Sequence, residues 1–324
     1  MDQGRQLTSE NDKHDLAAFQ DARSALLGMA YRMLGSRSDA EDVVQDVFLK
    51  WSAAEKRSIN VPAAWLMTVC TRRCIDLLRS ATRSRTTYIG PWLPEPVAAD
   101  TIDEPSELSS TLETAFLTLL ERVTPKERAA YLLHEIFDLP HVDVAGALGI
   151  SEAASRKLVS RAKERVANGA PRSSIRPERR HRLLASFERA IKTDDMAEFA
   201  AFLEQDVHLQ ADSGGKVSSV GELHGVDDVL GFLVRARDWD WWPAYGWKSV
   251  ELEGGTGFLL SHGKEPTALI WFGSINGATV SNVYILRNPE KLVAFAHHLA
   301  NPKPSAARSE STGNAESANV ESRN

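Results

Sequence analysis

The side chains best suited to binding nucleic acid lie on a helix predicted between residues 63 and 79. At 100° per residue one face of this helix is apolar, and the opposite face carries an aromatic ring beside guanidinium groups. That polar face comprises Trp65, Thr68, Arg72, Asp76 and Arg79. An indole stacks on unpaired bases while arginines hold phosphates, which is what binding of a single strand requires. The alternative interpretation is structural: a tryptophan that covers the edge of the core, beside ordinary surface arginines, gives the same pattern.

A second candidate surface is the acidic face of a helix predicted over 39–51. One stripe of that helix is apolar and belongs in the core, and the opposite stripe carries Asp42, Gln45, Asp46 and Leu49. An apolar residue ringed by carboxylates is typical of a docking surface for a basic partner helix. A solvated acidic face is the alternative.

A helix-turn-helix pattern spans residues 141–166. Its first helix ends at Gly149, and Ser151 is a good N-cap for the second. The second helix supplies the candidate DNA-binding residues, which are Ser151, Arg156, Lys157, Ser160 and Arg161. Arginine and lysine at such positions bind guanine edges or phosphates. An ordinary helical hairpin is the alternative.

The sequence predicts no catalytic residues, no metal site and no cofactor. No Asp/His arrangement suggests an acid–base pair, and the scattered histidines His208, His224, His262 and His297 are predicted to be structural. Cys70 and Cys74 fall in the middle of an apolar stripe, so we predict buried thiols rather than a redox switch.

Composition limits the class of protein. The net charge of −6 argues against a protein that coats nucleic acid nonspecifically. The sequence has no apolar run of about 18 residues and no signal-peptide core at its start. We therefore expect a cytoplasmic protein with no membrane partner.

Periodicity and proline content divide the chain into two helical blocks and a mixed C-terminal block. In order, we predict a disordered N-terminus (1–15), a first helical block (16–85), a proline-rich linker (86–108), a second helical block (109–170), an α+β block (177–300) and a disordered tail (301–324). In the α+β block, helices over 177–192 and 194–204 precede strands that start at Val207, with one further helix near 225–235.

The α+β block is rich in tryptophan. It holds Trp239, Trp241, Trp242, Trp247 and Trp271. These rings fill the core of the block or form a ligand cage, and the filling role is the interpretation that we favour.

The two helical blocks resemble the conserved domains of extracytoplasmic-function sigma factors. The match runs over Asp39–Leu49 and Pro62–Arg79 for the second conserved domain of that family, and over Thr124–Arg128 with the helix-turn-helix for the fourth. The resemblance implies that the acidic face binds the clamp helices of the polymerase β′ subunit. It also implies that the helix from Pro62, with the loop 56–61 and its Asn60, captures and melts the −10 element. The fourth domain would bind the −35 element and the β flap.

The linker motif Gly90–Pro96 resembles the signature of one sigma subgroup with a C-terminal SnoaL-like (NTF2-like) α+β cone. Two further motifs match, at 212–216, where Ser213 departs from the usual glycine, and at 288–292. The resemblance implies an interdomain regulatory set that comprises Trp92, Leu93, Pro94, Asp212, Gly214, Gly215, Asn288, Pro289, Lys291 and Leu292. A rigid polyproline spacer is the alternative for the linker.

The sequence therefore predicts a non-enzymatic sigma factor with two all-α sigma domains and an α+β cone that regulates them in cis. A DNA-binding module fused to an active SnoaL-like enzyme, or to a sensor of an unknown small ligand, is one rival. A plain helix-turn-helix repressor is another, but it leaves the Asp39–Arg79 block unexplained.

Overall fold

A computed structural model describes residues 3–85, 89–98, 114–167, 175, 177–193, 195–236, 246–253, 255–274 and 276–300. The order of parts is the predicted one, with two helical blocks followed by an α+β block. Among the described residues, none of the helices is both long and apolar enough to cross a membrane.

The first helical block consists of α1 (Gln3–Leu34), α2 (Arg37–Ala53), a 3₁₀ turn (Lys56–Ser58) and α3 (Pro62–Arg85). Ser36 caps α2, because its hydroxyl accepts a hydrogen bond from the Asp39 amide. The valine stripe of α2 is buried as predicted. Helix α1 begins at Gln3 and so includes most of the segment that we expected to be disordered.

The second helical block consists of α4 (Thr114–Leu120), α5 (Pro125–Tyr131) with a π-helical turn (Leu132–Ile136), α6 (His141–Leu148) and α7 (Glu152–Ala167). Thr124 and Glu127 form a capping box at the start of α5. Gly149 ends α6 in the left-handed conformation that favours glycine, with φ of 62°. Helices α6 and α7 are the predicted helix-turn-helix.

The two helical blocks share one continuous apolar core. Buried residues from α1–α3 and from α4–α7 belong to the same cluster. A buried arginine also joins the blocks, because Nη1 of Arg128 donates to the Met33 carbonyl at 2.6 Å. The two helical blocks are therefore packed against each other.

The third block is a six-stranded mixed sheet with helices, which confirms the α+β prediction. Its elements are α8 (Pro177–Thr193), α9 (Ala197–Ala200), β1 (Leu203–Asp212), β2 (Glu222–His224), α10 (Val226–Ala236), β3 (Gly246–Leu252), β4 (Gly255–His262), β5 (Glu265–Gly273), β6 (Val280–Leu286) and α11 (Pro289–Ala300). The strand order is β2-β1-β6-β5-β4-β3, with β1 parallel to β6 and the other pairs antiparallel.

Some elements of this block differ from the prediction. Helix α9 is shorter than expected because β1 already begins at Leu203. The short strand β2, strand β3 and helix α11 were not predicted at all. Helix α11 carries Pro289, Lys291 and Leu292 of the predicted interdomain set.

Two apolar clusters pack on this sheet. One includes residues of α8 and α10, and the other combines α11 with two residues of the linker, Leu93 and Ala98. Trp271 is buried in the second cluster, and Trp247 is half-buried against Phe187 in the first. These two tryptophans fill cores. The other three, Trp239, Trp241 and Trp242, lie outside the described residues.

Candidate functional site

The acidic face of α2 is open to solvent. Leu49 is 58% exposed, and Asp42 and Gln45 are also exposed. Asp46 is held by α3, because Nε of Arg73 donates to its carboxylate at 2.8 Å. An exposed leucine among acidic and amide side chains is the arrangement expected of a docking face.

The polar face of α3 is partly occupied by the second helical block. Nε of Arg72 donates to the Ala147 carbonyl at 2.8 Å, and its Nη2 donates to the Gly146 carbonyl at 3.1 Å. Both carbonyls belong to the last turn of α6, whose partial negative charge suits a guanidinium group. In this arrangement Arg72 makes a contact between the two blocks.

The other residues predicted on that face differ in exposure. Asn60, Asp76 and Arg79 are exposed, and Thr68 is half-buried. The placement of Trp65 on a solvent face was wrong in part, since its ring is half-buried against Trp51 of α2, with ring centroids 5.6 Å apart. The period of α3 alone puts this ring outside the apolar stripe, but the neighbouring helix α2 extends the core to reach it.

Helix α7 presents its predicted outward side chains to solvent. Arg156, Lys157, Ser160 and Arg161 are all exposed, and Arg156 forms an ion pair with Glu152 one turn earlier. The hydroxyl of Ser151 accepts from the amide of the third residue after it at 3.2 Å and so caps the helix. Of the apolar residues that the helical period places inward, Val159, Ala162 and Val166 are buried and Leu158 is half-buried. The predicted phase of this helix is therefore correct.

The linker is docked on the first helical block. The Trp92 ring lies over Gly35, where an added Cβ would come within 2.5 Å of the indole. The Glu95 amide donates to the Gly35 carbonyl at 2.8 Å, and the Glu95 carboxylate accepts from the Arg37 amide at 2.7 Å. The Tyr31 hydroxyl donates to the Glu95 carbonyl. A free polyproline spacer does not describe this segment.

The same linker is held by the C-terminal block through a buried ion pair. Nζ of Lys291 and a carboxylate oxygen of Asp212 are 2.8 Å apart, with 9% and 0% of these side chains exposed. Asp212 accepts from the Leu93 amide at 3.0 Å, and Nζ donates to the Leu93 carbonyl at 2.5 Å. Nζ also lies 4.2 Å from the centroid of the Trp92 ring. Both backbone polar groups of Leu93 are thus bonded to the ion pair.

Neighbouring motif residues shape this contact. Gly214 has φ of 62° and packs tightly on Asn288. A Cβ added to Gly214 would come within 2.6 Å of the side-chain amide nitrogen of Asn288. The Asn288 side chain in turn accepts from the Glu290 amide at the start of α11. Ser213, which stands where the motif usually has glycine, is buried. Its hydroxyl accepts a hydrogen bond from the Gly215 amide.

The rest of the predicted interdomain set lies around the same contact. Gly215 packs beside Ile89. Pro94 is buried and close to Gly35, and Leu292 is buried in the cluster that contains Leu93. Pro289 is exposed at the first position of α11. The structure thus brings together three motifs that are far apart in the sequence.

Several residues of this contact were not predicted from the sequence. Gly35 and Glu95 carry the linker's attachment to the first helical block, and burial raises the pKa of the Glu95 carboxyl. A backbone bridge between Ala98 and Leu252 joins the end of the linker to β3. A glycine beside a helix N-cap gives no sequence signal that a tryptophan will lie on it.

The cysteines follow the prediction, whereas two of the histidines do not. Cys70 and Cys74 are buried free thiols, and burial raises the pKa of Cys74. His208 and His224, predicted to be scattered, are neighbours. Their rings stack with centroids 4.1 Å apart, because β1 and β2 pair in a register that places them opposite each other.

Comparison with known proteins identifies both helical blocks. Residues 18–84 match the family model Sigma-70 region 2, and residues 113–166 match Sigma-70, region 4. The chain is 36% identical over 226 residues to the ECF RNA polymerase sigma factor SigJ of Mycobacterium tuberculosis (strain ATCC 25618 / H37Rv), a match that covers 68% of this chain and 72% of that protein. It is 34% identical over 137 residues to the ferric citrate uptake sigma factor FecI of Escherichia coli (strain K12), over 41% of this chain and 77% of FecI.

A solved structure extends this similarity into the C-terminal block. The crystal structure of the Mycobacterium tuberculosis extracytoplasmic function sigma factor SigJ superposes with a TM-score of 0.68 and 29% sequence identity. The superposition covers 86% of this chain and 98% of that chain, so it includes the α+β block as well as the helical ones.

Proposed function

This chain belongs to the extracytoplasmic-function RNA polymerase sigma factors, and on that premise we propose how its three parts share the work of promoter-specific initiation. Region 2 is the first helical block and region 4 is the second. The SnoaL-like α+β block follows them. The proposed place of action is the cytoplasm, where core polymerase and promoter DNA are found.

Core polymerase binds the exposed face of α2. The support is the exposed Leu49 with Asp42 and Gln45 beside it, a combination that matches a basic and partly apolar helix of a partner. We assign that partner to the β′ clamp helices, and we assign the β flap to region 4. Asp46 contributes less to this face because Arg73 already neutralises its carboxylate.

Promoter DNA is bound by α3 and α7. Arg79 and Asn60 are exposed for the −10 strand, whereas Arg72 first has to leave the carbonyls of α6. In α7 the exposed Arg156, Lys157, Ser160 and Arg161 face the −35 element, and Ser151 caps the helix.

The C-terminal block regulates the sigma regions through the linker, and one observation carries this proposal. The linker between regions 2 and 4 is held from both sides, by Gly35 under Trp92 and by the Asp212–Lys291 pair around Leu93. The linker thus ties region 2 to the C-terminal block, and region 4 packs on region 2 through the shared apolar core and through Arg72. The free protein is therefore restrained in a closed arrangement in which region 4 holds Arg72.

The C-terminal block acts in this proposal as a regulatory domain and not as an enzyme. A pocket beside α8, lined by described residues that include Arg180, Leu183 and Phe272, has a volume of about 10 Å³. That is room for about one water molecule, so this pocket by itself holds no small ligand. Turnover or ligand binding by the whole protein would favour the rival enzyme or sensor.

The test is run-off transcription with core polymerase on the DNA upstream of the gene. Trp92→Ala and Gly35→Ala loosen the linker from the first helical block, one by removing the ring and the other by placing a Cβ against it. Both variants should give more transcript than the wild type, because opening the closed arrangement then costs less free energy. Small-angle scattering should show both to be more extended.

A matched control separates the tryptophan contact from backbone strain. Gly90 also has a positive φ, of 86°, but none of the described residues lies within 4 Å of a Cβ at that position. Gly90→Ala should therefore leave transcription and dimensions nearer the wild type. Wild-type output and dimensions in Trp92→Ala would refute the restraint, and a lower output would mean that the docked linker assists initiation instead.

A further inference from the structure

Two histidines and a glutamate meet at the β1–β2 edge of the C-terminal sheet. His208 lies opposite His224 in the antiparallel pair, and Glu222 precedes His224 by two residues, so all three side chains share one face. One possible ligand atom from each lies within 4.8 Å of the others. Among the described residues this is the one group of three metal-ligating side chains found.

The geometry leaves a gap that an ion can fill. Nε2 of His208 is buried and has no hydrogen-bond partner among the residues that the structure describes. The facing carboxylate oxygen of Glu222 lies 3.8 Å away, too far for a hydrogen bond. A tetrahedral zinc ion with bonds of about 2.0–2.1 Å places its ligand atoms about 3.4 Å apart. Bringing the His208 nitrogen and the Glu222 oxygen to that separation needs a movement of about 0.4 Å, and the candidate ligand atom of His224 lies within 4.8 Å of both.

The surrounding groups prepare the ligands. Nε2 of Gln210 donates to the other carboxylate oxygen of Glu222 at 3.1 Å, which orients the carboxylate toward His208.

A second stacked histidine pair shows that stacking alone does not make such a site. His134 and His141 have ring centroids 3.9 Å apart. There, Nδ1 of His134 lies 2.8 Å from the Leu139 carbonyl and Nδ1 of His141 lies 3.1 Å from the Ser155 hydroxyl. The β1–β2 pair differs because Nε2 of His208 is buried and unpartnered within the described part of the chain. A nearby carboxylate is common to both pairs, since an oxygen of Glu135 lies 3.5 Å from Nε2 of His134.

We propose that His208, Glu222 and His224 bind a divalent transition-metal ion of the zinc class. Imidazole nitrogen and carboxylate oxygen form a ligand set that zinc accepts, and three protein ligands leave a fourth position for water.

The test is zinc binding by the full-length protein after removal of any affinity tag, measured by calorimetry and by competition with a chromophoric chelator. Wild-type protein should bind one Zn²⁺ per chain at this site. His208→Gln and His224→Gln should each weaken binding at least tenfold. His262→Gln changes an exposed histidine outside the cluster and should keep wild-type affinity.

Protein that binds no zinc, or a His208→Gln variant with wild-type affinity, would overturn the site. Glu222→Gln guards against an effect of misfolding, because it removes the carboxylate charge on an exposed side chain. We expect it to weaken zinc binding at least tenfold while the metal-free melting temperature stays unchanged. Wild-type zinc affinity in Glu222→Gln would also refute the three-ligand site.

Discussion

Lys291 is the residue whose removal tests the linker contact most directly. Its ammonium group is bonded to the buried carboxylate of Asp212 and to the carbonyl of Leu93, and it lies over the ring of Trp92. Lys291→Ala takes this cation away from a fully buried carboxylate and this donor away from a buried carbonyl. Both groups gave up hydrogen bonds to water on folding, and the bonds to Lys291 replaced some of them. Without Lys291 both groups stay buried with fewer hydrogen-bond partners, which destabilises the folded protein.

The expected loss is large for one side chain. Removing one partner of a buried ion pair typically costs about 3–5 kcal/mol of unfolding free energy. Lys216 provides a matched control, because it pairs with Glu290 in the same block but both side chains are largely exposed. Lys216→Ala should cost about 0–1 kcal/mol.

The assay is urea denaturation of the full-length protein followed by tryptophan fluorescence, with thermal melting as a second measure. A double variant, Lys291→Met with Asp212→Leu, removes both charges and should recover part of the loss. The recovery stays partial because the buried amide and carbonyl of Leu93 lose the ion pair as their hydrogen-bond partner. A loss below about 1 kcal/mol in Lys291→Ala, equal to that of the Lys216 control, would refute the argument that this pair holds the linker.

Three further predictions concern the other surfaces and the linker. Leu49→Ala should weaken binding to core polymerase several-fold in a pull-down without changing the melting temperature, because this side chain is exposed in the free protein. Arg156→Ala should cost about 1–3 kcal/mol at one base pair of the −35 element, whereas Arg161→Ala should weaken all promoters alike and reduce the salt dependence of binding. Identical behaviour of these two variants would contradict the assigned orientation of α7. The raised pKa of Glu95 means that its protonated form is favoured in the folded state. Its contribution to stability is present below the ordinary glutamate value of 4.5 and is lost as pH rises through the raised value, so Glu95→Gln should flatten the pH dependence of the melting temperature in that range.

Local patterns in the sequence predict most of the helical part of this fold. The apolar stripe of α2, with Val43 and Val47, repeats at the helical period. Gly149 and Ser151 mark the turn between α6 and α7. Signals of this kind act over a few residues, so one sequence is enough to interpret them.

Contacts between distant segments are not predictable in this way. The position of Trp65 depends on Trp51 of another helix, and His208 meets His224 only through the register of β1 and β2. Strand β2 has three residues, which is too short for an alternation to be recognised. The interdomain set is predicted by a resemblance alone, and its geometry depends on the docking of the linker over Gly35.

The role proposed for Arg72 in the closed arrangement bears on how a sigma factor held in this way is released. Its guanidinium group is bonded to carbonyls at the C-terminal end of α6, which carry only a partial negative charge. A phosphate of the −10 strand carries a full charge and binds arginine with stronger, charge-assisted hydrogen bonds. When the contact between regions 2 and 4 opens and DNA binds, Arg72 therefore exchanges weaker hydrogen-bond acceptors for stronger ones. The shared apolar core and the docked linker oppose this exchange. In the proposed function, core polymerase supplies the difference by binding the exposed face of α2. On this argument polymerase and promoter together favour the open arrangement, whereas promoter DNA alone does not.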